Sequence, residues 1–257
     1  KAIYYLTLAA DQNNTRAQYL LGLVYFYDDY IRKDINKSIH YLTLAANKNY
    51  ISAQFLLAVI YLNNESIKRD INKSIYYFTL AADQNDPEAQ LQLATIYYNC
   101  EYIEQNIEKT IYYLKLAANQ NYPKAQFSLG VIYYEDKYIK RDINKSIHYF
   151  TLAANQNYIQ AQIMLFVIYF EAKYTLQDIN KSVYYLTLAA DLNDPDAQCI
   201  LGKFYFRGDY ITQNINKSIH YFTLAANQNN IKAQNLLAHI YYEEKYILRD
   251  IQKSIYY

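Results

Sequence analysis

The apolar residues of the chain recur at the spacing of amphipathic helices, and two kinds of helix alternate. The first kind is typified by residues 17–26, where Ala17, Leu21 and Tyr25 lie at i, i+4 and i+8 on one helix face. The second kind is typified by residues 36–46, which are apolar around most of their circumference. We predict that this second helix lies between its own partner helix and the next unit. Nothing alternates with period two, so the pattern predicts an all-α fold.

The two-helix pattern repeats with a fixed period of 36 residues. Lysine recurs at this interval from Lys1 to Lys253, which is seven periods without insertion or deletion. An invariant leucine and an invariant tyrosine, Leu21 and Tyr25 in the first copy, keep the same phase. A helical pattern with this period is typical of repeat solenoids. The sequence therefore predicts an open right-handed α-solenoid of seven antiparallel helix-pair repeats, forming one domain over residues 1–257.

Polar residues at fixed positions of the repeat mark the helix ends. Asp34 precedes the second helix, where its side chain suits an N-cap. Asn49 follows that helix, and asparagine tolerates the left-handed conformation that ends many helices. The equivalent caps are Asp70, Asn106, Asp142, Asp178, Asn214 and Asp250, and the equivalent asparagines are Asn13, Asn85, Asn121, Asn157, Asn193 and Asn229.

The unit resembles the Sel-one-like repeat, a relative of the tetratricopeptide repeat. The resemblance rests on the positions Ala17, Leu21, Gly22, Tyr25, Asp34, Ala45 and Ala46 and their equivalents. The chain departs from the family pattern at two loop glycines, the first of which is present only as Gly208. What the resemblance implies is a scaffold or adaptor without catalytic residues, often a module beside other domains.

Composition excludes several functional classes. Lys and Arg number 25 and Asp and Glu 24, so the net charge of +1 gives no basic surface for nucleic acid. The longest apolar runs fall far short of the roughly 20 residues that a membrane span needs. With only 4 glycines and no nucleophile–base pair or metal-ligand spacing, we predict no catalytic residue, no cofactor and no small-molecule substrate.

Histidine and cysteine do not form a predicted metal or redox site. His40, His148 and His220 share one repeat position and are 108 and 72 residues apart, too far along a solenoid to bind one metal ion. We interpret that position as a solvated aromatic one. Cys100 and Cys199 have no adjacent base, which favours small-residue packing over a reactive thiol.

Two recurrent polar features have a structural and a functional interpretation. Gln18 and its equivalents recur in every unit. They are interpreted either as a row of partner-recognition residues or as structural amides that each bond a neighbouring loop. We favour the structural amide, because the glutamines share the packed helix face. Asn36 to Ser38 and its equivalents match the N-glycosylation sequon, but we favour a packed serine within a helix.

The side of the first helix that faces away from Leu21 and Tyr25 is the candidate partner-binding surface. In tetratricopeptide-like solenoids, this side lines the concave groove, which is what the resemblance contributes. It is apolar and aromatic in units one to five and polar in units six and seven. One alternative is that superhelical curvature packs these rings against adjacent units. The candidate residues are Tyr19, Leu23, Phe26, Phe55, Leu62, Tyr98, Phe127, Tyr134, Phe170, Lys203, Arg207 and His239.

The function predicted from the sequence is a protein-interaction scaffold or adaptor that binds a peptide or protein segment on its concave face. The alternative is a non-catalytic recruiting arm of a larger enzyme, such as a kinase or a ubiquitin-ligase component. The sequence does not begin with Met, so we expect a segment of a longer chain. Both of its ends fall within a helix pair, so we expect the isolated segment to associate or fray.

We expect a cytoplasmic location, because the two cysteines occupy unrelated repeat positions and no basic-then-apolar leader opens the sequence. The sequons should then remain unmodified. Treatment of the endogenous protein with an N-glycosidase is expected to leave its mass unchanged. A loss of mass on this treatment would contradict the location.

Overall fold

The computed structural model of the protein describes residues 1–27, 33–63, 65, 67–99, 103–173 and 175–242. In these ranges, every regular element is an α-helix, which confirms the predicted all-α repeat fold. The chain divides into two compact units, residues 1–125 and residues 126–257. The single domain over residues 1–257 stays a prediction.

Unit 1 consists of helix pairs in which each second helix also contacts the following first helix. The pairs are α2 with α3, α4 with α5 and α6 with α7, while α1, α3 and α5 contact the next first helix. The predicted position of the second helix, between its partner and the next unit, is thereby confirmed. The helices are α1 (Ala2–Asp11), α2 (Thr15–Tyr27), α3 (Ile35–Ala46), α4 (Ile51–Asn63), α5 (Ile71–Asp83), α6 (Pro87–Tyr98) and α7 (Ile107–Asn119), and α8 (Pro123–Tyr134) begins in this unit.

Unit 2 repeats the same arrangement. Here α10 pairs with α11 and α12 pairs with α13, and the second helices α9, α11 and α13 each contact the first helix that follows. Besides most of α8, the helices are α9 (Ile143–Ala154), α10 (Ile159–Glu171), α11 (Ile179–Asp191), α12 (Pro195–Arg207), α13 (Ile215–Asn227) and α14 (Ile231–Tyr242).

The predicted helix ends are confirmed. The Asp34 carboxylate accepts a hydrogen bond of 3.0 Å from the Lys37 amide, and the Asn106 side chain accepts one of 2.8 Å from the Lys109 amide. Asn49 has a φ of 61°, and its equivalents are also left-handed. Asp250 lies outside the described residues. A cap satisfies an amide that the helix itself leaves unpaired, so each second helix starts at a defined residue.

Small residues bring the two helices of a pair into close contact. A Cβ atom added to Gly22 would lie 2.5 Å from Cγ of Leu42, which is fully buried. Beside it, the buried Ser38 hydroxyl donates a hydrogen bond of 2.8 Å to the Gly22 carbonyl. The same contact joins Ser146 to Gly130. The serine of these sequons is therefore a packed helix residue, as interpreted from the sequence.

Hydrogen bonds to the end of the first helix recur in the described parts of the connections between first and second helices. The Asp34 amide donates to the Tyr25 carbonyl at 3.0 Å, which joins the cap of the second helix to the first helix. In the next copy, Nε of Arg69 donates to the Leu62 carbonyl at 2.7 Å. These bonds satisfy carbonyls at the end of the first helix, which otherwise lack a partner within the helix.

The buried glutamine of the first helix links three successive segments in α4 and α6. Nε2 of Gln54 donates a hydrogen bond of 3.2 Å to the Ala46 carbonyl at the end of the preceding helix. Its Oε1 accepts one of 2.7 Å from Nε2 of Gln84, 30 residues later. Gln90 makes the equivalent pair of bonds to Ala82 and Gln120. The structural-amide interpretation of these glutamines is confirmed.

This link is incomplete at one repeat of unit 2. Nε2 of Gln162 donates to the Ala154 carbonyl at 3.2 Å, but its buried Oε1 has no hydrogen-bond partner. The reason is that Leu192 occupies the position that Gln84 and Gln120 hold in other repeats. An unsatisfied buried carbonyl costs about 1–3 kcal/mol.

Replacing Leu192 by Gln should restore the missing donor. We expect the free energy of unfolding in urea to rise by about 1 kcal/mol, the net contribution of one hydrogen bond. Leu192 is already 36% exposed, so little apolar burial is lost. The control is Gln156→Leu, which removes the bond of 2.8 Å from Gln156 to Gln126 and should lower the free energy by about 1–2 kcal/mol. A fall in stability for Leu192→Gln would contradict this explanation.

A second substitution tests the loop at the end of α10. Ala172 has a φ of 52° at the repeat position where Gly208 has a φ of 76°. Because a Cβ atom makes the left-handed conformation costly, Ala172→Gly should raise the free energy of unfolding by about 1 kcal/mol. The matched control, Ala238→Gly in α14, should lower it by about 1 kcal/mol, because this helical position gains only flexibility. Equal effects of the two glycines would refute the assignment of strain to Ala172.

Candidate functional site

The candidate residues of the first repeat are half-buried against the core of the next repeat. Tyr19, Leu23 and Phe26 on α2 pack against a cluster that includes the buried Leu57 and Ile60 of α4. The Tyr19 ring also lies 4.9 Å from the Tyr50 ring, measured between centroids. Part of each side chain therefore stabilises contacts between repeats, and the remaining part faces solvent.

The next two candidate positions of unit 1 are similar. Phe55 and Leu62 on α4 pack against the cluster that contains Phe78 and Leu93. Tyr98, at the end of α6, is half-buried, and its carbonyl accepts a hydrogen bond of 2.6 Å from Nε2 of Gln105.

In unit 2, the candidate aromatic residues are again shared with the core. Phe127 and Tyr134 pack against the cluster that contains Phe150. The Phe170 ring lies 5.6 Å from Phe204 and 5.0 Å from Tyr210. Of the two interpretations of these rings, packing between adjacent repeats accounts for their buried parts. Their role in partner binding stays a prediction.

The polar candidates differ in exposure. Lys203 is half-buried on α12, whereas Arg207 and His239 are exposed. On the same helix, Cys199 is buried, and this burial raises the pKa of its thiol. A raised pKa disfavours the thiolate, which agrees with the packing role expected of this cysteine. Cys100 lies outside the described residues.

An open pocket lies on the first-helix side of unit 1. It encloses about 450 Å³ and is formed by α2, α4 and the start of α6. Its walls are aromatic and aliphatic, and two carboxylates lie at the α6 end. The lining residues are Tyr19, Leu23, Tyr27, Ser52, Phe55, Leu56, Val59, Asp86 and Glu88.

The two carboxylates of this pocket are held in place by their own helix. Asp86 is the N-cap of α6 and accepts a hydrogen bond of 2.7 Å from the Ala89 amide. Glu88 accepts one of 3.0 Å from Nε2 of Gln92, and another from the Tyr122 hydroxyl. Both anions therefore have a defined position at the rim of the pocket.

The pKa of Tyr19, in the pocket wall, is raised above that of a free tyrosine. Burial is the largest cause that raises the pKa of Tyr19, and the neighbouring Tyr50 and Tyr27 raise it further. A hydrogen bond with Ser52 acts in the opposite direction. The Tyr19 ring is therefore neutral at physiological pH and presents an uncharged aromatic face to the pocket.

Three of the lining residues, Tyr19, Leu23 and Phe55, are among the candidates predicted from the sequence, but the pocket itself was not predicted. Asp86 and Glu88 are not among those candidates. The available signal is the 36-residue period, since Tyr19 and Phe55 share one repeat position and Leu23 and Val59 share another. The pocket combines three successive repeats, and periodicity alone does not show how far apart their side chains lie.

The second-helix side carries a different recurring arrangement. The Tyr25 and Tyr41 rings are stacked at 5.9 Å, with only 4° between their planes. Nζ of Lys37 lies 5.2 Å from the Tyr25 centroid and 3.7 Å from the Asp34 carboxylate. The exposed His40 packs edge-on against Tyr41 at 5.2 Å. The same tyrosine stack recurs at residues 61 and 77, 97 and 113, 133 and 149, 169 and 185, and 205 and 221.

The histidines belong to this stacked surface. His148 and His220 pack edge-on against the following tyrosine, as His40 does. A search of the described residues finds no group of three or more His, Cys, Asp or Glu side chains placed to hold a metal ion. The same part of the chain contains no helix of the length and apolarity needed to cross a membrane.

Comparisons with known proteins agree on the repeat. The profile of the Sel1 repeat matches residues 1–14, 15–50, 51–86, 87–122, 123–158, 159–194, 195–230 and 231–257. A comparison with curated proteins gives no significant match.

Two solved structures have the same fold. A protective antigen of uropathogenic Escherichia coli with an SLR fold is 24% identical, with a TM-score of 0.86 over 99% of this chain and 54% of that one. A Sel1 repeat protein from Oxalobacter formigenes is 26% identical, with a TM-score of 0.79 over 98% of this chain and 73% of that one. This chain thus spans about half the length of the Escherichia coli antigen. The chain belongs to the Sel1 repeat family, whose members are generally non-catalytic helical scaffolds for protein–protein interaction.

Proposed function

We propose that the chain is a non-enzymatic scaffold or adaptor that binds a peptide or protein segment along the exposed side of its first helices. The observation that carries the proposal is the row of half-buried aromatic and aliphatic side chains on these helices, next to the open pocket of unit 1. Apolar surface that remains accessible beside polar residues is typical of partner sites. The role of a scaffold is also general in the family.

The chemistry of this surface suits an extended or helical segment. In unit 1, side chains such as Tyr19 and Phe55 offer rigid aromatic contact area, which commonly supplies much of the affinity at interfaces. In unit 2, Lys203 and Arg207 are candidate residues on α12 and add positive charge to the first-helix side of that unit. A segment bound along the first helices of one unit is held by apolar anchors.

Alanine substitutions are a poor test at the candidate positions that belong to the core. Replacing Tyr98, Tyr134 and Phe170 by Ala should weaken partner capture if these rings are anchors. Phe170, however, also contacts Phe204 and Tyr210, so its loss lowers stability as well. Better substitutions are residues that another repeat already carries at the same position. Asn235 is equivalent to Tyr19, and Lys203 is equivalent to Leu23.

We therefore expect the double variant Tyr19→Asn, Leu23→Lys to lose binding while it keeps its fold. Peptides selected from a random-sequence library against the full chain serve as ligands. The dissociation constant should rise by about tenfold or more, because two apolar contacts at the interface are lost. Circular dichroism should show unchanged helicity, with a loss of unfolding free energy of no more than about 2 kcal/mol.

The control carries the same kinds of substitution on the second-helix side. Tyr76 and Tyr112 are each 58% exposed there, so the variant Tyr76→Asn, Tyr112→Lys should bind the selected peptides like the unmodified chain. If this variant loses binding and the first-helix variant does not, the binding face is the opposite one and the proposed surface is wrong.

A further inference from the structure

We propose that the pocket between α2, α4 and the start of α6 binds a lysine or arginine side chain of the partner segment. This inference rests on the proposed function, because it names the side chain that one pocket of the binding surface accepts. Three features of the pocket specify its occupant: an apolar floor, two carboxylates that form no ion pair within the described residues, and accessible aromatic side chains.

The floor of the pocket suits the long aliphatic stem of a basic residue. Leu23, Phe55 and Val59 are half-buried, so each still exposes apolar surface to an incoming side chain. Lysine and arginine commonly bury their methylene groups on such a surface and keep the charged end at a polar rim. A short polar or acidic side chain gains nothing from this floor.

The rim of the pocket carries two carboxylates. Asp86 and Glu88 lie at the α6 end, and no lysine or arginine is among the lining residues that the structure describes. Within the described ranges, neither carboxylate forms an ion pair. Their hydrogen bonds come from the neutral donors Ala89, Gln92 and Tyr122, which leave lone pairs for further donors. An ammonium or guanidinium group supplies both the missing charge and the missing donors.

The aromatic walls favour the same occupant. Tyr27 is 61% exposed and borders the pocket together with Tyr19. A cation is attracted to the face of a tyrosine ring when it lies within about 6 Å of the centroid. The chain already uses this contact on its second-helix side, where Nζ of Lys73 lies 4.9 Å from the Tyr61 centroid. In the pocket, the walls and the carboxylates are present and the cation is left to the partner.

Unit 2 provides a matched control at the positions 108 residues later. Asp194 and Asp196 repeat the two acids, and Asp194 likewise caps its helix, α12. The walls differ, since Phe127 replaces Tyr19 and Glu135 replaces Tyr27. The unit 2 positions therefore test the effect of an acid pair without the two tyrosines.

The substitutions that test the pocket remove charge and preserve shape. Asp86→Asn keeps a residue that caps helices at this position, as Asn14 and Asn230 do by accepting bonds of 2.9 and 3.1 Å. Glu88→Gln introduces the residue that Gln160 supplies at the same repeat position. The double variant Asp86→Asn, Glu88→Gln should therefore fold normally, which circular dichroism and urea unfolding check. The control variant is Asp194→Asn, Asp196→Asn.

The experiment selects peptides from a random-sequence display library against the full chain and against each double variant. For the unmodified chain, the selected peptides should share a lysine or arginine beside apolar residues. One such peptide is then synthesised with lysine and with its neutral analogue norleucine. Binding of the lysine peptide should weaken about tenfold in the pocket variant, as expected for one charge-assisted hydrogen bond, and the norleucine peptide should bind both proteins alike. The unit 2 control should bind the lysine peptide as the unmodified chain does.

Each outcome separates this inference from the proposed function. If the selected peptides lack a basic residue, or the pocket variant binds the lysine peptide unchanged, peptide binding stands and the cation pocket is refuted. If the unit 2 variant weakens binding as much as the pocket variant, general electrostatic attraction replaces the pocket as the explanation. If no peptide is selected against the unmodified chain, the proposed function and this inference both fail.

Discussion

The buried glutamine of the first helix is the interaction on which the order of the repeats depends. Each such amide is removed from water, so both its donor and its acceptor need partners inside the protein. Nε2 of Gln54 donates to the Ala46 carbonyl at the end of the preceding helix, and its Oε1 accepts from Nε2 of Gln84 in the next connection. A single side chain thus fixes where one helix ends, where the next begins and how the following repeat is placed. Hydrophobic packing alone does not impose this register, because apolar contacts have little directionality.

One repeat of unit 2 shows how the fold tolerates departures from this rule. Within residues 159–194, Phe166 replaces a small residue, Ala172 adopts the left-handed conformation, and Leu192 leaves Gln162 without its donor. The last two departures each cost on the order of 1–2 kcal/mol. Against them, the Phe166 ring lies 5.5 Å from Phe170 in a cluster that continues to other rings. Aromatic pairs contribute about 0.5–1.5 kcal/mol each beyond their buried area, and this contribution is opposite in sign to the two losses.

The repeat pattern predicted most of the fold because it specifies contacts that are local in sequence. The helix ends follow from residues such as Asp34 and Asn49, whose side chains bond or bend the backbone within a few positions. The division of the first-helix rings between core and surface was not predictable in the same way. Periodicity assigns Phe170 to a face of α10, but the burial of its ring depends on Phe204 and Tyr210. Phe204 is exceptional at its repeat position, and Tyr210 is distant in sequence. The acids of the unit 1 pocket escaped prediction for the same reason, since their helix starts 60 residues after Tyr27.

The two sides of the helix pairs differ in the charged groups that accompany their aromatic rings. On the second-helix side, a lysine of the chain lies over one tyrosine of each stack, as Lys109 does over Tyr97 at 4.7 Å. The adjacent cap is often an aspartate that pairs with this lysine, as Asp142 does with Lys145 at 3.0 Å. The hydrogen bond from the Lys145 amide, followed by the one from the Lys145 side chain, lowers the pKa of Asp142. Ring, cation and anion thus occur together on that side in the repeats capped by Asp34, Asp70, Asp142 and Asp178. In the unit 1 pocket, the same kinds of ring and anion occur without a lysine or arginine among the lining residues that the structure describes. This difference between the two sides is the reason for proposing that a partner supplies the cation there.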